Sequence, residues 1–209
     1  MSEHPAPHRR LLRGAFALGV TLAACSIPVS AATDPQDSRR LETEVLGLDG
    51  SPLSLQAPDG GALAIVFLWT PCPNSNQYSP TLNRLAARFD SDRVRFVGLY
   101  VDADLTDAQV ASHAREYGLE FPIGRLGAGR LARELGVETV PSAVVLDDQG
   151  VVRYLGRIND RFYDLGRRRQ IVRSEDLLDA ISAVLSGDPV REPRTEAIGC
   201  TLPDFGEDT

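Results

Sequence analysis

The apolar positions of the chain alternate between unbroken runs of strand length and stripes at helical spacing. Residues 62–69 (ALAIVFLW) form a continuous apolar run, as expected of a central strand covered on both faces. In residues 75–89, Tyr78, Leu82, Leu85, Ala86 and Phe89 recur at helical spacing, which predicts an amphipathic helix. A second core strand is predicted over 94–101 (VRFVGLYV). Thr106 and Asp107 open a helix that runs through Tyr117, with Gly118 placed to close it. A short helix fits 128–135 and ends at Gly136. Residues 142–146 and 151–155 read as strands joined by Asp147-Asp148-Gln149-Gly150, a run with hairpin turn chemistry. Ser174, Glu175 and Asp176 start a last helix to about Leu185. Its apolar face is Leu177, Leu178, Ile181, Val184 and Leu185.

Around these elements lie three less regular segments. Within 44–55 two short apolar stretches flank Asp49-Gly50, which predicts an N-terminal β-hairpin. Residues 158–173 carry Asn159, Asp160, Arg161, Phe162, Tyr163 and the run Arg167-Arg168-Arg169. The default reading is a solvated loop; the alternative is a lid whose arginines grip an anionic or peptide partner. From 187 onward Pro189, Pro193 and Pro203 predict a tail running extended over the surface. Strands alternating with helices, then a hairpin and a helix, imply an α/β fold whose sheet is covered on both faces.

Residues 1–32 break the pattern and read as an export signal. Arg9, Arg10 and Arg13 precede a largely apolar stretch over 14–24. That is too short for a bilayer, which needs about 20 residues, and suits a signal h-region. Two cleavage readings stand. Leu22-Ala23-Ala24-Cys25 resembles a lipobox, which would end the signal at residue 24 and make Cys25 a lipidated N-terminus. Val29-Ser30-Ala31 resembles an ordinary signal-peptidase site. Either places the protein in the periplasm or cell envelope, where disulfides persist. The membrane enters only through such an anchor. Residues 33–40 read as a linker, 41–186 as the domain and 187–209 as the tail.

Composition narrows the chemistry. Among 209 residues there are 22 basic and 29 acidic ones, for a net charge of −7, and every basic residue is arginine. Without lysine, Schiff-base chemistry and a P-loop are excluded. Two of the 3 histidines lie in the first ten residues, leaving His113 in the body. A His-rich metal site or a Ser-His-Asp triad is therefore not expected, and neither is a cofactor. The acidic balance without a basic stripe argues against nucleic acid. Three cysteines remain: Cys25, Cys72 and Cys200.

Cys72 lies in Trp69-Thr70-Pro71-Cys72-Pro73-Asn74-Ser75, between the first core strand and its helix. A sulfur at a helix N-terminus faces the positive end of the helix dipole and free N–H groups, which favour the thiolate. Pro73 costs no hydrogen bond there. Pro80 follows eight residues after Cys72, and Val140-Pro141-Ser142 precedes a later strand. Together these residues resemble the thioredoxin-like superfamily over about 41–186. The resemblance is to exported bacterial redoxin-domain proteins of the AhpC/TSA–thiol reductase branch. CPNSNQYSP, GRINDRFYDLG and TEAIGC are similar to a subgroup of these. The resemblance implies a central mixed β-sheet flanked by helices and a reactive Cys72. It also implies a cis-proline at 141, with Val140, Pro141 and Trp69 shaping a substrate site. The implied partners are a protein or small-molecule disulfide and a thiol electron donor not identified by sequence.

The chain departs from that family where Cys-x-x-Cys becomes Cys72-Pro73-Asn74-Ser75. Ser75 cannot resolve a mixed disulfide; it either hydrogen-bonds the thiolate or caps the helix. Val66 stands where thioredoxin keeps an acidic residue, and Asp102 and Asp104 are candidate replacements. A peroxiredoxin would carry Thr or Ser where Trp69 stands, which makes a thiol peroxidase acting on peroxide the lesser reading; a non-catalytic module of the same fold, docking a partner through the cis-proline face or the arginine segment, is the other alternative. Cys200 is left to pair reversibly with Cys72 as resolving thiol, to staple it permanently, or to lie as a free thiol in a docked tail.

Overall fold

The computed structural model describes residues 44–89, 92–125 and 127–202, with Met1 and Leu41. The elements below belong to one unit, Asp34–Thr209. Apart from Met1, the segments read as export signal and linker, Cys25 included, lie outside the described residues, as does the tail beyond Leu202.

β1 (Ala62–Leu68) is the centre of a five-stranded sheet and is buried at every position. β2 (Val94–Tyr100) pairs with it in parallel, and β3 (Ile123–Gly124) pairs in parallel with β2. On the other side β5 (Ser142–Asp147) and β6 (Val152–Gly156) add antiparallel strands, so the sheet is mixed, in the order β3-β2-β1-β5-β6. Side chains of a strand point alternately to opposite faces, and β1 supplies two cores in this way. Ala62, Ala64, Val66 and Leu68 meet α1 (Pro73–Arg88), α2 (Asp107–Glu116) and α4 (Asp176–Ser186). Leu63, Ile65 and Phe67 face the other way, in one cluster with Ala128, Leu131 and Ala132 of α3 (Ala128–Glu134). Each fully buried Leu, Ile or Val contributes about 1.5–3 kcal/mol, so an unbroken apolar run suits this strand and no edge strand.

The helices begin and end where local chemistry places them. Thr106 accepts the Gln109 N–H, and Gln109 Oε1 returns to the Thr106 N–H at 2.9 Å, a capping box for α2. Gly118 and Gly136 follow α2 and α3 at φ 62° and 74°, a left-handed conformation that glycine adopts without a Cβ penalty. Pro80 inside α1 has no N–H for the Asn76 carbonyl four residues back. The Ser79 hydroxyl donates to that carbonyl instead, at 3.0 Å.

The N-terminal hairpin takes a minimal form. Leu46 pairs with Pro52, with Gly47 N–H on Ser51 O and Leu53 N–H on Val45 O, both at 2.8 Å. The segment 158–173 is largely turn and loop with exposed side chains over 163–171, as in the default reading, but it also holds a short hairpin, β7 (Phe162–Asp164) with β8 (Arg167–Arg168). Phe162 is buried edge-on against Tyr78 with ring centroids 4.9 Å apart, and Tyr78 Oη donates to Asn159 Oδ1 at 2.9 Å. The arginines that suggest solvent do lie exposed, while Ile158, Asn159 and Phe162 anchor the hairpin from beneath.

The tail is tied down at several places. Thr195 Oγ1 lies 2.6 Å from Tyr154 Oη and accepts the Arg157 N–H at 3.0 Å. Further on, β9 (Cys200–Thr201) pairs antiparallel with β4 (Thr139–Val140).

Candidate active site

Cys72 is the N-cap of α1 and its side chain is fully buried. The strand-to-helix turn that presents it is held from several directions. Trp69 N–H donates to Ser75 Oγ at 3.4 Å, and Cys72 N–H to Trp69 O at 3.0 Å. Asn76 Nδ2 donates to Thr70 O at 2.9 Å. Asp102, two residues past the end of β2, receives Thr70 N–H at 3.2 Å on one oxygen and Thr70 Oγ1 at 2.6 Å on the other. Burial pushes the Asp102 carboxyl above the ordinary carboxylate range, against the pull of the two Thr70 bonds. Asp102 is thus a brace for the turn before Cys72, while Asp104 is exposed. Tyr100 Oη lies 2.9 Å from His113 Nδ1, and burial holds the His113 imidazole below its ordinary range.

Of the candidate substrate residues, Val140 meets the same sulfur. The Val140–Pro141 peptide is cis. The Cys72 thiol donates to Val140 O at 3.4 Å, and Val140 is fully buried. Ser75 is buried with its hydroxyl on Trp69 N–H rather than on the sulfur. Trp69 is half-buried at the start of the turn. Cys200 arrives from the tail. Its pairing with Val140 in β9 sets the Cys200 thiol 2.7 Å from Cys72 Sγ, against about 2.05 Å for a disulfide bond. Both are free thiols here. Burial, and next the Cys72 sulfur itself, push the Cys200 thiol up to about 12.

Asn74 was not singled out by its sequence context, yet it ties this arrangement together. It is fully buried at the start of α1. Its Nδ2 donates to Ile198 O of the tail at 2.8 Å, and its Oδ1 accepts the Gly166 N–H of the β7–β8 turn at 2.8 Å. An Asn in the first helical turn ordinarily reads as a solvated or capping residue, and its partners are 92 and 124 residues away. Only the flanking Pro73 and Ser75, and the TEAIGC stretch far downstream, hint at it.

Among the described residues no group of three or more His, Cys, Asp and Glu is placed to hold a metal ion. Nor is any helix among them long and apolar enough to cross a membrane.

A buried thiol at a helix N-terminus, beside a cis-proline and within a mixed sheet of this order, defines a thioredoxin-like protein. Within that class the chain belongs to the Redoxin family, which matches residues 28–164. Cys200 and β9 lie beyond the matched residues. Two similar curated proteins are the thiol-disulfide oxidoreductase ResA of Bacillus thuringiensis subsp. konkukian and that of Bacillus cereus. Each is 28% identical over 108 residues, 52% of this chain and 61% of the relative. The chain thus spans about three-fifths of the length of these relatives. Among solved structures, an uncharacterized conserved protein from Geobacillus kaustophilus has a TM-score of 0.66 at 21% identity, covering 80% of this chain and 90% of its own. A hypothetical protein from Sinorhizobium meliloti reaches 0.65 at 23% identity, with coverages of 82% and 98%. A thiol-disulfide isomerase from Corynebacterium glutamicum gives 0.52 at 17% identity, covering 75% and 98%. These structures share the fold.

Proposed function

We propose that the protein is an exported thiol-disulfide oxidoreductase with Cys72 as nucleophile and Cys200 as resolving thiol. The observation that carries this reading is the 2.7 Å between the two sulfurs. The Cys72 thiolate attacks a substrate disulfide, forming a mixed disulfide and releasing one substrate thiolate, which takes up a proton. The Cys200 thiolate then attacks Cys72 Sγ and expels the second substrate thiol. The enzyme is left with a Cys72–Cys200 disulfide, two electrons having passed to the substrate. An external dithiol returns those electrons and completes the cycle. Val140, Pro141 and Trp69 line the approach to Cys72. Ser75 serves the turn through Trp69 N–H. The name carried by the ResA relatives supports disulfides as the substrate class.

The proposed organisation is a signal over 1–32, or 1–24 if Cys25 is lipidated. A linker over 33–40, the domain over 41–186 and the tail over 187–209 follow. The protein then works in the periplasm or cell envelope, where its disulfide can persist.

The test is mass mapping after mild oxidation, together with reduction of a protein disulfide by wild type and Cys72→Ser. The expected result is a cross-linked Cys72–Cys200 peptide pair and activity that vanishes in the variant. Both thiols free after oxidation, or equal activity in the two proteins, overturns the reading.

A further inference from the structure

β9 occupies the edge of β4 as an added strand. Val140 pairs with Cys200 and Thr139 with Thr201, and Leu202 N–H donates to Glu138 O at 2.8 Å. Strand addition of this kind draws affinity from the backbone, which any extended polypeptide supplies, and selectivity from the places where side chains must fit. Here the selective place is Gly199. A Cβ on it would fall inside contact distance of the Val140 carbonyl oxygen, 2.7 Å from the Val140 carbonyl carbon and 3.0 Å from Pro141 Cδ. These are backbone and ring atoms that cannot swing aside. Gly199 φ lies outside the left-handed region, so the requirement is for space and not for an unusual backbone. One residue further back, Ile198 O is held by Asn74 Nδ2, which again reads backbone alone. The result is a slot that accepts an extended chain, tolerates no side chain just before the cysteine, and delivers that cysteine to Cys72.

Cys72 is fully buried while β9 is in place. An outside disulfide therefore meets Cys72 only when β9 has left, and the vacated edge of Val140 is then free to pair.

We infer that the slot beside Val140 is a recognition site for extended polypeptide segments in which glycine immediately precedes the reacting cysteine, with β9 as its tethered occupant. This rests on the reading of Cys72 as nucleophile. The captured segment and β9 exclude one another. Substrate enters as the tail leaves, the Cys72 thiolate takes the substrate sulfur and releases the other half of the disulfide as a thiol. The segment's backbone then leaves the slot while its sulfur stays bonded to Cys72; β9 re-pairs with Val140 and the Cys200 sulfur attacks Cys72 Sγ, forming the Cys72–Cys200 disulfide and releasing the segment as a thiol.

The experiment uses the full chain with Cys200→Ser, which traps the mixed disulfide. Two probe peptides are compared, Glu-Ala-Ile-Gly-Cys-Thr-Leu and the same peptide with Ala before Cys, each activated as a disulfide with thionitrobenzoate. Hydroxyethyl disulfide is the small control. Release of thionitrobenzoate and the mass of the adduct on Cys72 are read. A clash of a Cβ with fixed backbone predicts capture of the glycine peptide about tenfold faster or more. Adding Gly199→Ala to the chain expels the tail and raises the rate for the glycine peptide further. Equal rates for the two peptides, or reaction with hydroxyethyl disulfide and neither peptide, overturn the inference and leave the Cys72 reading standing. An unchanged rate after Gly199→Ala overturns the mutual exclusion. If no probe reacts, the Cys72 reading fails and the inference falls with it.

Discussion

Asn74 holds Ile198 by its carbonyl, so a residue in the first turn of α1 fixes the tail strand that carries the second thiol. The same amide accepts the Gly166 N–H, which joins the β7–β8 hairpin to the tail through one side chain. The cysteine pair thus depends on a contact that neither cysteine makes.

Replacing Asn74 separates the two links. Asn74→Asp keeps an acceptor for Gly166 N–H but loses the donor to Ile198 O and sets a carboxylate against that carbonyl. Asn74→Ala leaves both backbone groups without their partner, at about 1–3 kcal/mol for each buried one. Both variants are expected to speed alkylation of Cys200 by freeing the tail. Only Asn74→Ala is expected also to increase hydrogen exchange at Gly166.

The Cys200 thiol is expected to make the reduced protein sensitive to alkali. Its folded value, about 12, lies above the ordinary 9. The reduced fold therefore binds this proton more tightly than the unfolded chain does. That contribution is complete below pH about 9 and is lost as pH rises from there toward about 12. Urea midpoints of the reduced protein should fall more steeply above pH 9 than those of Cys200→Ser. Parallel curves would show that the thiol carries no such linkage.

Thr70 and Asp102 form the brace under the Cys72 turn. Thr70→Val removes the 2.6 Å bond and leaves a buried carboxylate with one donor of two. The cost is about 1.5–3 kcal/mol when the carboxylate is ionised and less when it is protonated. The difference between Thr70→Val and wild type should therefore shrink as pH is lowered through the Asp102 titration. Asp102→Asn, which keeps an acceptor for Thr70 and removes the buried charge, should cost less than Thr70→Val in the same thermal melts at neutral pH.

At the N-terminus the two cleavage readings have different chemical products. If Cys25 is lipidated, expression of the full chain in a bacterium fed labelled palmitate gives a labelled protein, and Cys25→Ala loses the label. If cleavage follows Ala31 or Ala32, no label is incorporated and N-terminal sequencing starts at Ala32 or Thr33.

The sheet and its helices were legible in the sequence because their signals are local. β1 is an unbroken apolar run, and α1 carries Tyr78, Leu82 and Leu85 at helical spacing. Gly118 and Gly136 stop helices by their own conformational freedom. Cys72, between a core strand and a Pro-opened helix, was legible for the same reason. The β7–β8 hairpin was not, since its arginines do face solvent. What folds it is the seat of Phe162 on Tyr78, contributed by a helix more than eighty residues away. Asn74 escaped because the same residue type at a helix start ordinarily faces water.

From the sequence alone follow the α/β layers, the turn that presents Cys72, the proline before β5, and the question of whether Cys200 reaches across. Each is carried by a few neighbouring residues, and periodicity, capping and turn chemistry act over that range. Only the tertiary structure answers the question. The distance between sulfurs 128 residues apart is set by the Thr195 knot on Tyr154, the Asn74 amide on Ile198, and the room that Gly199 leaves beside Val140. None of those contacts has a local signature, because each is made between segments that meet only once the sheet has formed.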